Sequence, residues 1–135
     1  NTIVAITADN NTLDGIMRYD DNILFQSKNI PFLLYLPTVL KNKYPNINLD
    51  VASSHKDIFP TLYNLSLNKQ KYIAIGSNLL DNKITHYGFN SSGIITDKNQ
   101  TLKINPFDTK NQHQFSKIYR ATLGVQEYLI QQMLK

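Results

Sequence analysis

The spacing of apolar residues along the chain predicts three strands within the first 80 positions. Residues 2–8 form a nearly continuous apolar and β-branched run, which is typical of a central strand covered on both faces. Residues 30–37 form a second such run, and the prolines at its two ends mark its limits. Residues 71–75 form a third apolar run, which leads into a glycine turn.

Two other stretches have the signature of helices. Ser54 and Asp57 have the S-x-x-D spacing of a capping box, and Ile58, Leu62 and Leu65 then recur at helical spacing. From residue 114 onward one long amphipathic helix is expected. Its apolar stripe consists of Phe115, Ile118, Thr122, Val125, Leu129 and Met133.

The remaining segments complete the predicted order of elements. A short helix is expected near residues 20–27. Residues 84–104 read as short strands joined by turns at 90–93 and 97–100, which together predict a small antiparallel sheet. The alternation of strands and helices predicts an α/β fold with a mixed, mainly parallel sheet and flanking helices. In such folds ligands bind at the carboxyl ends of the parallel strands.

Composition narrows the classes of function. The chain has 135 residues and 41% apolar residues, enough for a single folded unit spanning 1–135. Its net charge is +4, but the lysines and arginines are scattered, which argues against nucleic-acid binding. The absence of cysteine excludes disulfides, a cysteine zinc site and a cysteine nucleophile from these residues. No apolar run approaches the ~20 residues of a membrane span.

Asp9 and Asn10 stand where the first predicted strand ends. A carboxylate and an amide oxygen are hard ligands that suit Ca²⁺ or Mg²⁺, and a strand end holds them rigidly. The alternative is a plain Asx turn, since both residue types are favoured in turns. Local chemistry alone favours the turn.

Four blocks taken in order resemble the later half of the sulfatase-like branch of the alkaline phosphatase superfamily. This branch includes sulfatases, lipoteichoic acid synthase-type phosphoglycerol transferases and phosphoethanolamine transferases. The blocks are "TIVAITADN", "IPFLLYLP", "ASSHKDIFPTLYNL" and "YIAIGSNLL". They correspond to a strand ending T-x-D-[NH], a strand flanked by prolines, a helix S-x-x-D-x-x-P-T-L and a G-x-x-L turn. The resemblance covers residues 1–80, whereas 81–135 add hairpins and a helix.

The resemblance implies that Asp9 and Asn10 are metal ligands and that the chain is the C-terminal portion of an alkaline phosphatase-like sandwich. Sulfatases tend to have Asp-Asn at this point and bind Ca²⁺. The phosphotransferases tend to have Asp-His, which suits Mn²⁺ or Zn²⁺. Asn10 thus favours an oxygen-rich site for Ca²⁺, Mn²⁺ or Mg²⁺, with Zn²⁺ less favoured. Against this, Asn11 departs from the Gly usual in sulfatases, and the spacing to the second strand is closer to the transferases.

Histidines and one threonine have weaker candidate roles. His55, at the start of the capped helix, is a candidate contact for an anionic ester, although a surface histidine is an equal alternative. His86 is expected to be structural and His113 to be solvated. Thr61 is expected to pack or form local hydrogen bonds rather than act as a nucleophile.

The resemblance also implies a parent enzyme larger than these residues. The family's nucleophile and first acidic ligands lie in the earlier half of the domain, so the isolated chain is expected to be inactive. The parent is expected to be an extracytoplasmic, membrane-anchored protein of the bacterial inner membrane. It would cleave or transfer phosphate or sulfate esters, including lipid-linked ones, with phosphoglycerol or phosphoethanolamine transfer preferred. Self-association of the chain through an exposed strand edge is also expected.

Three alternatives remain beside this interpretation. The first is a sulfate-ester hydrolase, which differs from the transferase in its nucleophile and acceptor. The second is a non-catalytic binding module on the same scaffold. The third, a receiver-like domain, is disfavoured because the later strands end in "YLP" and "IGS" rather than in an acceptor aspartate.

Overall fold

The computed structural model describes residues 2–9, 29–67 and 70–134. The chain divides into two compact units, Asn1–Asn46 and Ile47–Lys135, and each is described by itself. This boundary lies well before residue 80, where the family-like blocks of the sequence end. The short helix expected near residues 20–27 lies outside the described residues.

The first unit contains a two-stranded antiparallel ribbon. Strand β1 (Val4–Thr7) pairs with β2 (Phe32–Tyr35) in a register that places Val4 opposite Tyr35. The hydroxyl of Thr7 donates to the backbone oxygen of Pro31 at 2.9 Å and thereby ties the end of β1 to the start of β2. One turn of helix, α1 (Thr38–Lys41), follows the ribbon.

The ribbon corrects two expectations for these strands. The pairing is antiparallel, so the mainly parallel sheet is not found among the described residues. β1 is also exposed along its whole length rather than covered on both faces. An apolar run reports β-propensity, but it carries no information on strand direction, which depends on how the chain connects the strands.

The second unit begins with the predicted capped helix. A 3-10 turn (His55–Asp57) leads directly into α2 (Ile58–Ser66). Pro60 lies in the first turn of α2, where a missing N–H is tolerated. The backbone N–H of Ser54 donates to the Asp57 carboxylate at 3.0 Å, which is the acidic half of the predicted capping box.

The prediction of a third strand at residues 71–75 is wrong. Residues 71–75 form no strand and pair with no strand in the described part of the chain. The hydroxyl of Tyr72 donates to the backbone oxygen of Pro60 at 3.4 Å, and Ile73 is 80% exposed. The segment therefore serves as a connection that returns the chain from the end of α2 to its beginning.

A three-stranded antiparallel meander follows, as the sequence predicts. It consists of β3 (Gly88–Phe89), β4 (Ile94–Thr96) and β5 (Thr101–Lys103), in that order. The first turn is closed by Asn90, whose side-chain oxygen accepts the N–H groups of residues 92 and 94. Gly93 in this turn has φ +80°, and a Cβ there would lie 2.2 Å from a backbone oxygen. Both requirements explain why glycine occupies the position.

The long C-terminal helix is confirmed as α3 (Gln114–Met133). Its first turns form the core of the second unit with the meander. The buried residues of this core are Ile95, Ile104, Phe115 and Tyr119. The ring of Phe115 meets that of Tyr87 edge to face at 5.8 Å, and the Tyr119 hydroxyl donates to the Asn90 backbone oxygen at 2.7 Å. The helix is thus held to the sheet by both packing and a buried hydrogen bond.

The apolar stripe of α3 extends beyond this core. Val125 is 50% exposed and Met133 is 86% exposed, so the second half of the predicted stripe lacks a covering element among the described residues. No helix in the described part of the chain has the length and apolar character needed to cross a membrane. The observed fold is therefore a small mixed α/β arrangement with two antiparallel sheets and a C-terminal helix.

Candidate functional site

A buried carboxylate, Asp57, organises the start of α2. Its side chain is fully buried, and its Oδ2 accepts the Ser54 backbone N–H. Its Oδ1 accepts the backbone N–H of Ser77 at 2.8 Å, and the Lys56 ammonium lies 2.6 Å from both oxygens. A buried carboxylate is tolerated only when its charge is paired and its oxygens are hydrogen-bonded, and Asp57 meets both conditions.

Thr61, one turn further along α2, provides a second attachment. Its hydroxyl donates to the backbone oxygen of Asp57 at 2.6 Å and accepts the backbone N–H of Leu79 at 3.0 Å. Asp57 and Thr61 thus lie on one face of the helix and bind two alternate N–H groups of a single turn. We refer to Asp57 and Thr61, together with the bound residues Ser77 and Leu79, as the helix clamp.

Gly76 allows the turn to approach the helix this closely. A Cβ at this position would lie 1.9 Å from the backbone oxygen of Lys56 and 2.8 Å from the backbone nitrogen of Asp57. Real Cβ atoms do not reach such distances from rigid backbone. The glycine is therefore required by contact with the helix, not by its own dihedral angles.

A chain of polar contacts continues outward from the clamp. The Ser77 hydroxyl lies 3.2 Å from Asp57 Oδ1 and 3.1 Å from His86 Nδ1. The other ring nitrogen of His86, Nε2, lies 2.9 Å from the backbone oxygen of Asp81. A carbonyl oxygen can only accept, so Nε2 carries a proton, and the single proton of the Ser77 hydroxyl is directed at either Asp57 Oδ1 or His86 Nδ1.

The contact between Ser77 and His86 has the distance of a serine nucleophile and its base. The neighbouring Asp57 carboxylate argues against that role, because a fixed negative charge opposes an anionic substrate and a developing oxyanion. The N–H of Ser77 is also already bound to Asp57. We therefore interpret Ser77 and His86 as structural, which agrees with the interpretation of His86 from sequence.

Lys56 links the clamp to the meander. Its ammonium lies 5.1 Å from the ring centroid of Phe89, within the range of a cation–π contact, while it also pairs with Asp57. The side chain of Lys56 is only 16% exposed. This cation is consequently committed to the protein itself and is poorly placed to meet an anionic ligand.

The proposed metal ligands lie in the first unit. Asp9 is exposed and follows β1, whereas Asn10 lies outside the described residues. Within the described ranges no group of three or more histidine, aspartate or glutamate side chains converges on a point that could hold a metal ion. Asp9 and Asn10 supply two oxygen donors, whereas Ca²⁺ takes about six to eight. The pair fits a hard cation chemically, and the remaining donors must come from other groups.

The remaining candidate residues occupy helix starts. His55 is exposed and opens the 3-10 turn, and it makes an interaction within the protein. Its role as a substrate contact stays a prediction. His113 is exposed and caps α3, since its Nδ1 accepts the Phe115 N–H at 3.2 Å. Thr61 has the local hydrogen-bonding role that its sequence context favours.

The contact between the helix start and the turn, which makes these residues one clamp, was not predicted from the sequence. The sequence predicted Asp57 as a capping residue and Gly76 as part of a turn, but not the hydrogen bonds that join the two segments. The available signal was the pairing of a capping aspartate with a Gly-Ser dipeptide about 20 residues later in the chain. Propensity and periodicity describe each segment alone, so they do not reveal that one carboxylate caps its own helix and also binds a distant turn.

Comparison with known proteins adds no family. No protein-family model, no curated protein and no solved structure matches the chain. The assignment of function consequently depends on the residues and contacts described above.

Proposed function

We propose that these residues belong to a metal-dependent, sulfatase-like enzyme that cleaves or transfers phosphate or sulfate esters. Transfer of phosphoglycerol or phosphoethanolamine in the cell envelope is the preferred activity. The metal would be Ca²⁺, Mn²⁺ or Mg²⁺. Asp9 and Asn10 would bind it, and the nucleophile would come from residues outside this sequence.

The observation that supports this proposal is the helix clamp. Two of the four blocks that resemble the family are S-x-x-D-x-x-P-T-L and G-x-x-L, which here run from Ser54 to Leu62 and from Gly76 to Leu79. They are joined through Asp57 and Thr61, the polar residues common to the pattern. The contact gives a physical reason for the two blocks to occur together. Two blocks that matched the family pattern by chance would not need to be in contact.

The chemistry assigned to this part of the enzyme is limited to binding. A bound divalent cation would polarise the ester oxygen and favour ionisation of a hydroxyl nucleophile. Asp9 would contribute a negatively charged oxygen at the end of β1. His55, exposed at the helix start, would contact the anionic part of the ester. The clamp would keep the segment that carries His55 in place.

The test uses the intact protein that contains these residues. After removal of metal with EDTA, we would measure release of the head group from phosphatidylglycerol and phosphatidylethanolamine vesicles, and of sulfate from an aryl sulfate, as Mn²⁺, Mg²⁺ or Ca²⁺ is restored. We expect metal-dependent turnover that Asp9→Asn lowers about 100-fold or more, because the cation contributes several kcal/mol to the transition state. The exposed variant Glu127→Gln is the charge-matched control.

The outcomes separate the candidate functions. Turnover of the phospholipids supports the transferase, and turnover of the aryl sulfate alone supports the sulfate-ester hydrolase that Asn10 favours. Metal-independent turnover, or full activity of Asp9→Asn, would refute the metal site. No turnover of any of the three substrates in the intact protein would leave the non-catalytic binding module as the better interpretation.

A further inference from the structure

The second unit contains a polar cleft that the proposed function does not use. The cleft has a volume of about 290 Å³ and is lined by Asn48, residues 50–52, Asn82, residues 84–86 and residues 97–99. This volume is at the lower end of the range of about 300–1,000 Å³ for small-molecule sites, so the cleft suits a ligand of the size of one sugar ring. The described residues that line it do not include Asp9 or His55.

Short hydrogen-bonded turns fix the walls of the cleft. Asn48 accepts the N–H of Asp50 at 3.0 Å, and Asp97 Oδ1 accepts the N–H of Asn99 at 2.7 Å. His86 is held on both ring nitrogens by Ser77 and Asp81, so it forms a wall without offering a nitrogen to a ligand. These hydrogen bonds order the backbone of the turns that line the cleft.

Several polar groups of the cleft remain available to a ligand. In the described part of the chain, the side chains of Asp50, Thr85, Lys98 and Asn99 make no hydrogen bond, and neither does Oδ2 of Asp97. They provide a hydroxyl, an amide, an ammonium and carboxylate oxygens. Val51 and Ile84 add apolar surface beside them. The cleft consequently presents hydrogen-bond donors and acceptors together with a small apolar wall.

The balance of charges restricts the class of ligand. Two carboxylates, Asp50 and Asp97, and one cation, Lys98, line the cleft, so a phosphate or sulfate would meet net repulsion. The described residues provide no trio of metal ligands here. Amide, hydroxyl and carboxylate groups can instead pair with adjacent hydroxyls, each of which donates and accepts. The apolar wall would cover the C–H face of a ring.

We propose that this cleft binds an uncharged, hydroxyl-rich ligand, namely a single saccharide unit. Asp50 and Asp97 accept hydrogen bonds from sugar hydroxyls, and the Asn99 amide and the Thr85 hydroxyl both donate and accept. None of these four residues is a proposed metal ligand, so the proposal does not depend on whether Asp9 and Asn10 bind a cation.

The test is an NMR titration of the ¹⁵N-labelled chain. The probes are the methyl glycosides of glucose, galactose and mannose, with inorganic phosphate and ethylammonium as competing chemistries. We expect saturable shifts at Thr85 and Asn99 for at least one glycoside, with a Kd of about 1 mM, and none for phosphate. Asn99→Ala and Asp50→Ala should each weaken binding about 5- to 10-fold, since each loses one hydrogen bond.

The control variant is Gln112→Ala, which removes an exposed amide outside the cleft and should leave the affinity unchanged. The amide spectrum away from the cleft reports whether each variant is folded. The proposal is overturned if no glycoside gives saturable shifts at about 100 mM, a hundredfold excess over the expected Kd. It is equally overturned if phosphate or ethylammonium binds more tightly than every glycoside, or if Asn99→Ala and Asp50→Ala bind as well as Gln112→Ala.

Discussion

The helix clamp and the core beneath α3 hold the second unit together in different ways. The clamp is polar and depends on short side chains, Asp57 and Thr61, which are fully buried and hydrogen-bonded to backbone. The core is made of Ile95, Ile104, Phe115 and Tyr119, which contact one another through apolar surface. A buried hydrogen bond requires a particular polar side chain at its position, whereas an apolar contact requires mainly an apolar side chain of suitable volume. The clamp should therefore tolerate isosteric substitutions poorly and the core should tolerate them well.

The largest effect is expected from removal of the clamp carboxylate. Asp57→Ala removes the carboxylate partner of the partly buried Lys56 ammonium and leaves the N–H groups of Ser54 and Ser77 without acceptors. We expect a loss of about 3–5 kcal/mol in the free energy of unfolding, measured by urea denaturation followed by circular dichroism. Asp108→Ala removes an exposed carboxylate and should change the stability by less than about 1 kcal/mol. Equal losses for the two variants would show that Asp57 is not a central contact.

A glycine pair tests the close approach of turn and helix. Gly76→Ala places a methyl group 1.9 Å from a backbone oxygen, and we expect a loss of about 2–3 kcal/mol as the turn moves away. Gly124→Ala is the matched control, because it makes the same change within α3 with nothing within 4 Å. That variant should gain about 1 kcal/mol from improved helix propensity. The two variants should thus have opposite signs in thermal or urea unfolding, and a stabilising Gly76→Ala would contradict the described geometry.

Two substitutions to valine compare hydrogen bonding with volume directly. Thr61→Val preserves the shape of the side chain but leaves the buried N–H of Leu79 unpaired, so a loss of about 2 kcal/mol is expected. Ile95→Val removes one methylene from the core and should lose about 1 kcal/mol. Thr61→Ser, which keeps the hydroxyl, should recover part of the loss. If urea unfolding shows Thr61→Val to be milder than Ile95→Val, the distinction between clamp and core fails.

The smallest effect is expected at the outer end of the clamp. Ser77→Ala removes a hydroxyl near His86 but keeps the N–H that binds Asp57, so the expected loss is about 1 kcal/mol. The ¹⁵N shifts of His86 should show a proton on Nε2, which donates to the Asp81 backbone oxygen. A proton on Nδ1 instead would contradict the contact with Asp81.

Local elements and the antiparallel hairpins of the meander were predicted well from sequence, whereas pairings between distant segments were not. The capping box at Ser54 and Asp57, the turns at 90–93 and 97–100 and the helix beginning at Gln114 follow from signals that lie within each segment. The unpaired segment 71–75 has the same β-propensity as a real strand, yet the sequence contains no sign that it lacks a neighbour. The antiparallel direction of β1 and β2 was not predicted either, because β-propensity carries no information on strand direction.

The candidate site was predictable to a smaller extent. Asp9 and Asn10 were singled out because of their position at a strand end and the resemblance of the blocks around them. The cleft was not anticipated, because its walls come from three segments that are separated in sequence and carry ordinary turn residues. Asp50 and Asp97 are indistinguishable from solvated surface aspartates until the fold places them around the same opening.

The clamp also bears on the order in which the second unit folds. Its two long-range hydrogen bonds join residues 18 and 20 positions apart, and the contact between Ser77 and His86 spans nine. Closing loops of this length carries a small entropic penalty, since that penalty grows only with the logarithm of loop length. The hairpins of the meander are equally local, whereas the hydrogen bond from Tyr119 to Asn90 spans 29 residues. This ranking of loop lengths favours one order of folding events. The helix–turn pair and the meander form rapidly, and α3 then docks on them.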